Sequence, residues 1–203
     1  MVKIQEAIYH GIIAADFLRK TKRVFQAIEL WNECLIILNN KALPNEHKLA
    51  REGSIALYWR LFYGNTAIKK LSPAIESGKK LLVLLRSCDR KKEEGETALN
   101  LSTLYLQKGE YKEAQAFLER ALSVNKEIEN KDGEASCCRN LGVVFKSVGL
   151  YEKAKEYFHK ALTINTEIGD KHGEASCYIN LGPPLLFMFL LILFLTKCDK
   201  ITL

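Results

Sequence analysis

The sequence predicts an all-α protein built from repeated antiparallel helix pairs. Three observations lead to this fold class: the 203-residue chain matches itself at a shift of 40 residues, apolar residues recur at helical spacing, and glycines separate the apolar stretches. With 4 Pro and 12 Gly, the chain has few turn residues for a β-sandwich or β-barrel. Its content of 48% hydrophobic and 27% charged residues is typical of a globular protein and argues against disorder.

The 40-residue repeat is clearest in the second half of the chain. The segment GEASC at 133–137 recurs at 173–177, and NLG at 140–142 recurs at 180–182. One period earlier, NLS at 100–102 stands in the same register. Because a single repeat cannot bury its apolar face alone, three or more repeats must stack to form a stable core.

Each period predicts two helices joined by a short turn. In the first helix, Ala98, Leu101 and Tyr105 lie at i, i+3 and i+7 and form one apolar stripe. Gly109 and Gly149 follow first helices, where a glycine can take the left-handed conformation that ends a helix. Small residues should let the paired helices approach closely. The second helices carry the apolar residues Ala114, Phe117, Leu118, Ala121 and Val124, and then Ala154, Phe158, Ala161 and Ile164.

The repeat register divides the chain into six segments. Leu61 and Ala74 lie 40 residues before Leu101 and Ala114, which indicates a weaker copy upstream, and a loop around 43–46 takes up the longer spacing before it. The predicted segments are a divergent helix pair at 1–53, a decayed repeat at 54–93, repeats at 94–133 and 134–173, the first helix of an incomplete repeat at 174–182, and an apolar tail at 183–203.

The repeated residues resemble the signature of the tetratricopeptide repeat family. The matching positions are Leu141, Gly142, Phe145, Gly149, Tyr151, Ala154, Phe158 and Ala161. The sequence departs from the family at its first-helix aromatic, replaced by Ala98 and Cys138, and at its closing proline, replaced by Lys126 and Thr166. The period is longer than the usual length of about 34 residues. Over residues 94–182 it is similar to a branch that includes the G-protein-signalling modulators, the kinesin light chains and the tetratricopeptide repeat protein 28-like scaffolds.

This resemblance implies a right-handed superhelical solenoid of antiparallel helix pairs, in which the first helices line a concave groove. It implies a non-catalytic scaffold or adaptor that binds peptide segments of partner proteins. We expect no cofactor and no metal, because the sequence has no Gly-rich phosphate loop and its histidines are scattered. An enzyme that uses the cysteines or histidines is the weaker alternative. The histidines are His10, His47, His159 and His172.

Charge and cysteine content point to the expected partners and location. The net charge is +6, and residues 1–93 hold 17 Lys/Arg against 9 Asp/Glu. The dense basic run at 19–23 lacks an aromatic ladder for stacking bases, so we expect no nucleic-acid partner. Six irregularly placed cysteines and a start without a signal-peptide pattern predict a cytoplasmic protein with free thiols. Because Cys138 falls in the core stripe, helix packing accounts for the Cys137–Cys138 pair.

The apolar run at 185–195 departs from the repeat pattern. An 11-residue helix is about 16 Å long, against about 30 Å of membrane hydrocarbon. The run is therefore either a membrane tail anchor or the product of a truncated or misjoined coding sequence, and its length favours the second. A membrane-tethered adaptor is the alternative function, and the membrane is a partner only if this tail is a real anchor.

The candidate binding residues lie on the side of the first helices opposite the core stripe. Asn100, Asn140 and Asn180 form a ladder, one per repeat, whose amides can bond to a ligand backbone. The alternative is that these amides only bond between neighbouring first helices. Arg139 and Lys146 give the groove positive charge, and the resemblance implies an acidic peptide segment as partner. The predicted peptide-binding residues are Asn100, Thr103, Gln107, Arg139, Asn140, Val143, Lys146 and Asn180.

Overall fold

The computed structural model describes residues 2–41 and 47–182, and these residues form nine helices and no strand. This confirms the predicted all-α fold class. The tail at 183–203 and the predicted loop at 43–46 lie outside the described residues. The helices are α1 (Val2–Lys20), α2 (Val24–Lys41), α3 (His47–Ala67), α4 (Leu71–Ser87), α5 (Lys91–Lys108), α6 (Tyr111–Glu127), α7 (Lys131–Ser147), α8 (Tyr151–Ile168) and α9 (Lys171–Leu181).

The helices pack as pairs in two compact units, 1–120 and 121–203, whose boundary falls inside α6. In the first unit α1 packs on α2, α3 on α4, and α4 on α5; in the second unit α7 packs on α8, and α8 on α9. Turns of two or three residues make successive helices antiparallel. We call α1, α3, α5, α7 and α9 the first helices and the others the second helices. The predicted repeat boundaries stay a prediction.

Every described turn between successive helices contains one residue in the left-handed conformation. These residues are Lys22, Lys69, Asp89, Gly109, Glu129, Gly149 and Gly169, with φ between 53° and 80°. At Gly149 the N–H donates to the carbonyl of Lys146 at 3.1 Å, and the next N–H, of Leu150, donates to Phe145 at 2.8 Å. The same two bonds recur in the other turns and satisfy carbonyls left open at a helix end. The predicted helix stops at Gly109 and Gly149 are thereby confirmed.

The second unit depends on one close approach between α7 and α8. A Cβ added to Gly142 would lie 2.6 Å from Cε1 of Phe158, whose side chain is only 1% exposed. The ring therefore lies directly on the glycine, as the small residue at this position predicts. Cys137 and Cys138, earlier in α7, are both buried, and a side-chain amide from the end of α6, Asn125 Nδ2, lies 3.7 Å from Cys137 Sγ.

One buried carboxylate joins three helices of the first unit. Oε1 of Glu94, at the start of α5, accepts from Nε of Arg86 at 2.8 Å and from Nε of Arg120 at 2.9 Å. The Glu94 side chain is 6% exposed. Burial alone raises the pKa of Glu94, but the hydrogen bonds from Arg86 and Arg120 outweigh it and hold the pKa below its ordinary value. Glu94 therefore stays ionised and ties α4, α5 and α6 together.

Substitution of Gly142 should destabilise the protein by overpacking. Gly142→Ala forces the Phe158 ring to shift and should lower the free energy of unfolding by about 1 kcal/mol or more, and Gly142→Leu by more than about 2 kcal/mol. Urea denaturation measures both. Phe158→Leu removes ring atoms from the contact, so the double variant Gly142→Ala/Phe158→Leu should lose less than the sum of the two single losses. Wild-type stability of Gly142→Leu would contradict the close packing.

Replacement of Glu94 should make the free energy of unfolding change less with pH in the acid range. A carboxylate whose folded pKa is depressed stabilises the fold above its unfolded pKa, and this contribution disappears as the pH falls through the folded value. Glu94→Gln should therefore cost about 2 kcal/mol near neutral pH and almost nothing once wild-type Glu94 is protonated. Chemical denaturation across the acid range checks this. Glu76→Gln, in the exposed pair with Lys80, is the control and should leave stability nearly unchanged across the same pH range.

Candidate functional site

The predicted binding residues lie on the sides of the first helices that face away from the core stripe. Asn100, Arg139, Asn140, Val143 and Asn180 are half-buried, whereas Thr103, Gln107 and Lys146 are exposed. The core residues of the same helices are buried, among them Leu101 and Leu141. We call these eight residues the first-helix face and describe its parts in the two units separately.

In the first unit, the face is already engaged at Asn100. Its Nδ2 donates to the hydroxyl of Tyr63 on the preceding first helix, α3, at 2.8 Å. The Oγ1 of Thr103 donates back to the carbonyl of Leu99 at 3.3 Å. Asn100 therefore behaves as the alternative interpretation proposes, by bonding between neighbouring first helices.

A second link between first helices occupies the same register position one repeat earlier. Arg60, 40 residues before Asn100, donates to Asp16 of α1 through Nε to Oδ1 and through Nη2 to Oδ2, both at 3.0 Å. A bidentate pair of this kind fixes both direction and distance. This register position thus links α1 to α3 and α3 to α5.

In the second unit, α7 and α9 are linked differently. Lys146 Nζ donates to the backbone carbonyl of Asn180 at 3.3 Å, and Asn180 Nδ2 donates to the carbonyl of Ser176 in its own helix at 2.8 Å. Arg139 and Asn140 have no hydrogen-bond or ion-pair partner within the described part of the chain. Of the three asparagines in the predicted ladder, Asn140 is therefore the one whose side-chain amide makes no bond to the described residues.

The sequence reasoning missed two aromatic residues that lie on α3, the first helix before α5. Trp59 and Tyr63 lie on α3 with ring centroids 4.1 Å apart, and Trp59 is 44% exposed. They stand one period before Leu99 and Thr103, so the 40-residue register could have located them. Burial and the charge of Glu96 raise the pKa of Tyr63, against the hydrogen bond from Asn100.

The described residues contain no group of histidine, cysteine and carboxylate side chains that could hold a metal ion. Cys34, Cys88, Cys137, Cys138 and Cys177 are free thiols, and the sixth, Cys198, lies outside the described residues. Burial raises the pKa of Cys137 to about 12, so its thiol is protonated at neutral pH. Within residues 2–41 and 47–182, none of the helices has the length and apolar content needed to cross a membrane.

Comparison with known proteins identifies the repeats in the middle of the chain. A family model described as Tetratricopeptide repeat matches residues 93–164, which span α5 to most of α8. The chain contains tetratricopeptide repeats. This confirms the main resemblance, while the particular branch stays a prediction. None of the curated proteins matches the sequence. Tetratricopeptide repeats and their fold are typically non-catalytic.

Solved structures share the tetratricopeptide repeat fold. The kinesin light chain TPR-like repeats from Podosopora anserina match with a TM-score of 0.65 at 16% identity, covering 97% of each chain. The apo form of RapI matches with a TM-score of 0.75 at 14% identity, covering 86% of this chain and 46% of RapI. The Rap conjugation gene regulator of plasmid pLS20, in complex with the Phr* peptide, matches with a TM-score of 0.57 at 18% identity, covering 79% and 43%. This chain therefore spans less than half of each Rap protein.

The buried cysteines of the repeats should be unreactive in the folded protein. Cys137 and Cys138 should react slowly with a thiol reagent, because both side chains are buried and burial raises the pKa of each. Cys88, in the turn between α4 and α5, is partly exposed and should react first among the described cysteines. Mass-spectrometric mapping of labelled sites over time measures the order, with the urea-unfolded chain as control. Rapid labelling of Cys138, or a bond between Cys137 and Cys138, would show this assignment to be wrong.

Proposed function

We propose that the protein is a non-catalytic scaffold or adaptor that binds peptide segments of partner proteins along its first-helix face. Tetratricopeptide repeats support a role in protein–protein interaction. A Rap protein with the same fold has been solved in complex with a peptide, which supports a peptide as the ligand class. The protein works in the cytoplasm, in keeping with free thiols at the five described cysteines.

The observation that carries this proposal is the pair Arg139 and Asn140 on α7. Both side chains are half-buried, yet neither has a polar partner among the described residues. A half-buried guanidinium and amide without protein partners keep their donors available for a ligand. Arg139 can hold a carboxylate through two parallel bonds.

The neighbours of this pair favour an acidic peptide. Val143, on the next turn of α7, offers an apolar contact, and the exposed Lys146 adds a second positive charge. The Lys146 ammonium has three N–H donors, of which one bonds to the Asn180 carbonyl and two can bond to a ligand. In the first unit, taken by itself, the exposed Thr103 and Gln107 present neutral polar groups on α5.

An enzymatic function has less support. The three histidines whose side chains are described, His10, His159 and His172, are all exposed and lie on different helices. A general base needs a nearby nucleophile or substrate pocket, and the most buried thiol, Cys137, is held protonated by burial. The membrane-tethered alternative depends on residues 185–195, which lie outside the described residues.

Loss of the α7 donors should weaken peptide binding without unfolding the protein. Peptides selected by display against the full chain should bind the variant Arg139→Ala/Asn140→Ala at least about tenfold more weakly, equal to about 1.4 kcal/mol. The melting temperature should change little, because neither side chain bonds to the described residues. Isothermal titration calorimetry measures the affinity.

The control variant makes two alanine substitutions at neighbouring positions on the second helix of that repeat. Lys155→Ala/Glu156→Ala removes two exposed side chains from α8 and should leave affinity within about twofold of wild type. Selected peptides should be enriched in Asp and Glu. Equal affinity for wild type and Arg139→Ala/Asn140→Ala would reject the face as the binding site.

A further inference from the structure

We propose that one edge of the first unit binds an anionic membrane surface. This edge comprises the α1/α2 turn and the α3/α4 turn, and we call it the basic edge. Its residues are the cations Arg19, Lys20, Lys22, Arg23, Lys69 and Lys70 and the aromatic residues Phe17 and Phe25. The proposal is independent of the first-helix face and of the apolar tail.

The cations of the basic edge are exposed and uncompensated. All six side chains are exposed to solvent, and none has a carboxylate partner among the described residues. By contrast, in the corresponding turn of the next helix pair, Lys108 forms an ion pair with Glu110. The edge therefore presents a concentrated positive field, which attracts polyanions.

The two turns lie side by side. The ammonium of Lys70, at the start of α4, lies 5.0 Å from the ring centroid of Phe25, at the start of α2. This cation–π contact connects the two turns directly. The six cations consequently form one patch rather than two separate clusters.

Two of these cations occupy backbone positions that are unfavourable for them. Lys22 and Lys69 are the left-handed residues of their turns, with φ of 65° and 59°. Gly109 and Gly149 hold the same position in the next two pairs, where glycine adopts positive φ without steric strain. Lysine at both positions lowers local stability relative to glycine.

Two further cations lie at the N-terminus of a helix, where positive charge is unfavourable. Arg23 and Lys70 directly precede α2 and α4, where the helix dipole is positive and where Ser, Thr, Asp or Asn is preferred. Neither helix has an acidic residue in its first turn, and Lys70 makes no side-chain cap bond. The equivalent residue in the next pair is Glu110. Four neighbouring basic residues thus disfavour the fold locally, and an external anion offers the missing compensation.

The exposed rings identify the kind of anion. Phe17 is 64% exposed and Phe25 is 58% exposed, on either side of the basic turn at 19–23. At an anionic lipid surface, basic side chains meet the headgroups while aromatic rings enter the interface. A duplex nucleic acid would neutralise the charges and leave both rings in water, whereas a lipid interface takes up both the charges and the rings. Cations flanked by exposed aromatics therefore fit a lipid surface best.

Vesicle binding tests this proposal. The full chain is sedimented with phosphatidylcholine vesicles, with or without phosphatidylserine, and its partition coefficient is measured. We expect binding only to vesicles that contain phosphatidylserine, and a steep loss of binding with added salt. The test variant combines Lys22→Gly, Arg23→Ser, Lys69→Gly and Lys70→Ser. It should bind at least about tenfold more weakly, since each basic residue near the surface adds to the affinity.

The same variant should have a higher melting temperature than wild type. Glycine relieves the strain at both left-handed positions, and serine supplies a cap at both helix starts. Weaker binding by a more stable protein cannot result from unfolding. The charge-matched control replaces four exposed cations elsewhere and should keep wild-type partitioning: Arg51→Ser, Lys92→Ser, Lys112→Ser and Lys155→Ser.

A second variant separates lipid from other polyanions. Phe17→Ser/Phe25→Ser keeps every charge, so it should lower vesicle partitioning several-fold and leave retention on heparin unchanged. Three results would each overturn the proposal. The first is equally strong binding to vesicles with and without phosphatidylserine, and the second is an equal loss of binding in the charge-matched control. The third is binding to duplex DNA or acidic peptides without binding to phosphatidylserine vesicles.

Discussion

The arrangement of the described helices depends on one backbone conformation, the left-handed residue that follows a helix and reverses the chain. The conformation brings the next two N–H groups onto the last carbonyls of the helix, so the turn is closed by its own backbone. Because the turn is two or three residues long, each helix returns antiparallel to the one before it. Because this geometry recurs every 40 residues, side chains 40 positions apart contact corresponding neighbours. Asn125 beside Cys137 and Asn165 beside Cys177 are one such repeated contact, at 3.7 and 3.6 Å.

Because the backbone is alike in each repeat, a difference in side-chain bonding between equivalent positions reflects the side chains and their neighbours. The register position of Arg60 shows this: Arg60 pairs with Asp16, Asn100 bonds to Tyr63, and Asn180 bonds to its own helix. Asn140 has no described partner at this position. This half-buried position bonds within the chain in three copies, whereas in α7 its side chain has no partner among the described residues. That difference, and not the presence of asparagine, is why α7 is the centre of the proposed binding face.

Periodicity was enough to predict the fold class, the helix stops at Gly109 and Gly149, and the close contact at Gly142. Periodicity could not predict side-chain pairing. The partner of Asn100 is Tyr63, which lies in a repeat whose sequence has diverged. Periodicity also could not predict the left-handed conformation of Lys22 and Lys69, because lysine carries no local signal for positive φ. The neighbouring turns and helix packing impose that conformation there. The 40-residue register nevertheless aligns Trp59 with Leu99 and Tyr63 with Thr103, so the two aromatic residues lie on the corresponding side of α3.

Stability and binding make different demands on the two kinds of site. Arg139 and Asn140 lie in the middle of a helix, where charge and amide side chains are tolerated and cost the fold little. The basic edge is different, because lysine at a left-handed position and a cation at a helix start each oppose local stability. Glycine at a left-handed position, and serine or aspartate before a helix, are the residues that this geometry prefers. Four unfavourable choices of one charge sign on two touching turns are therefore better explained by a shared anionic partner than by the requirements of the turns themselves.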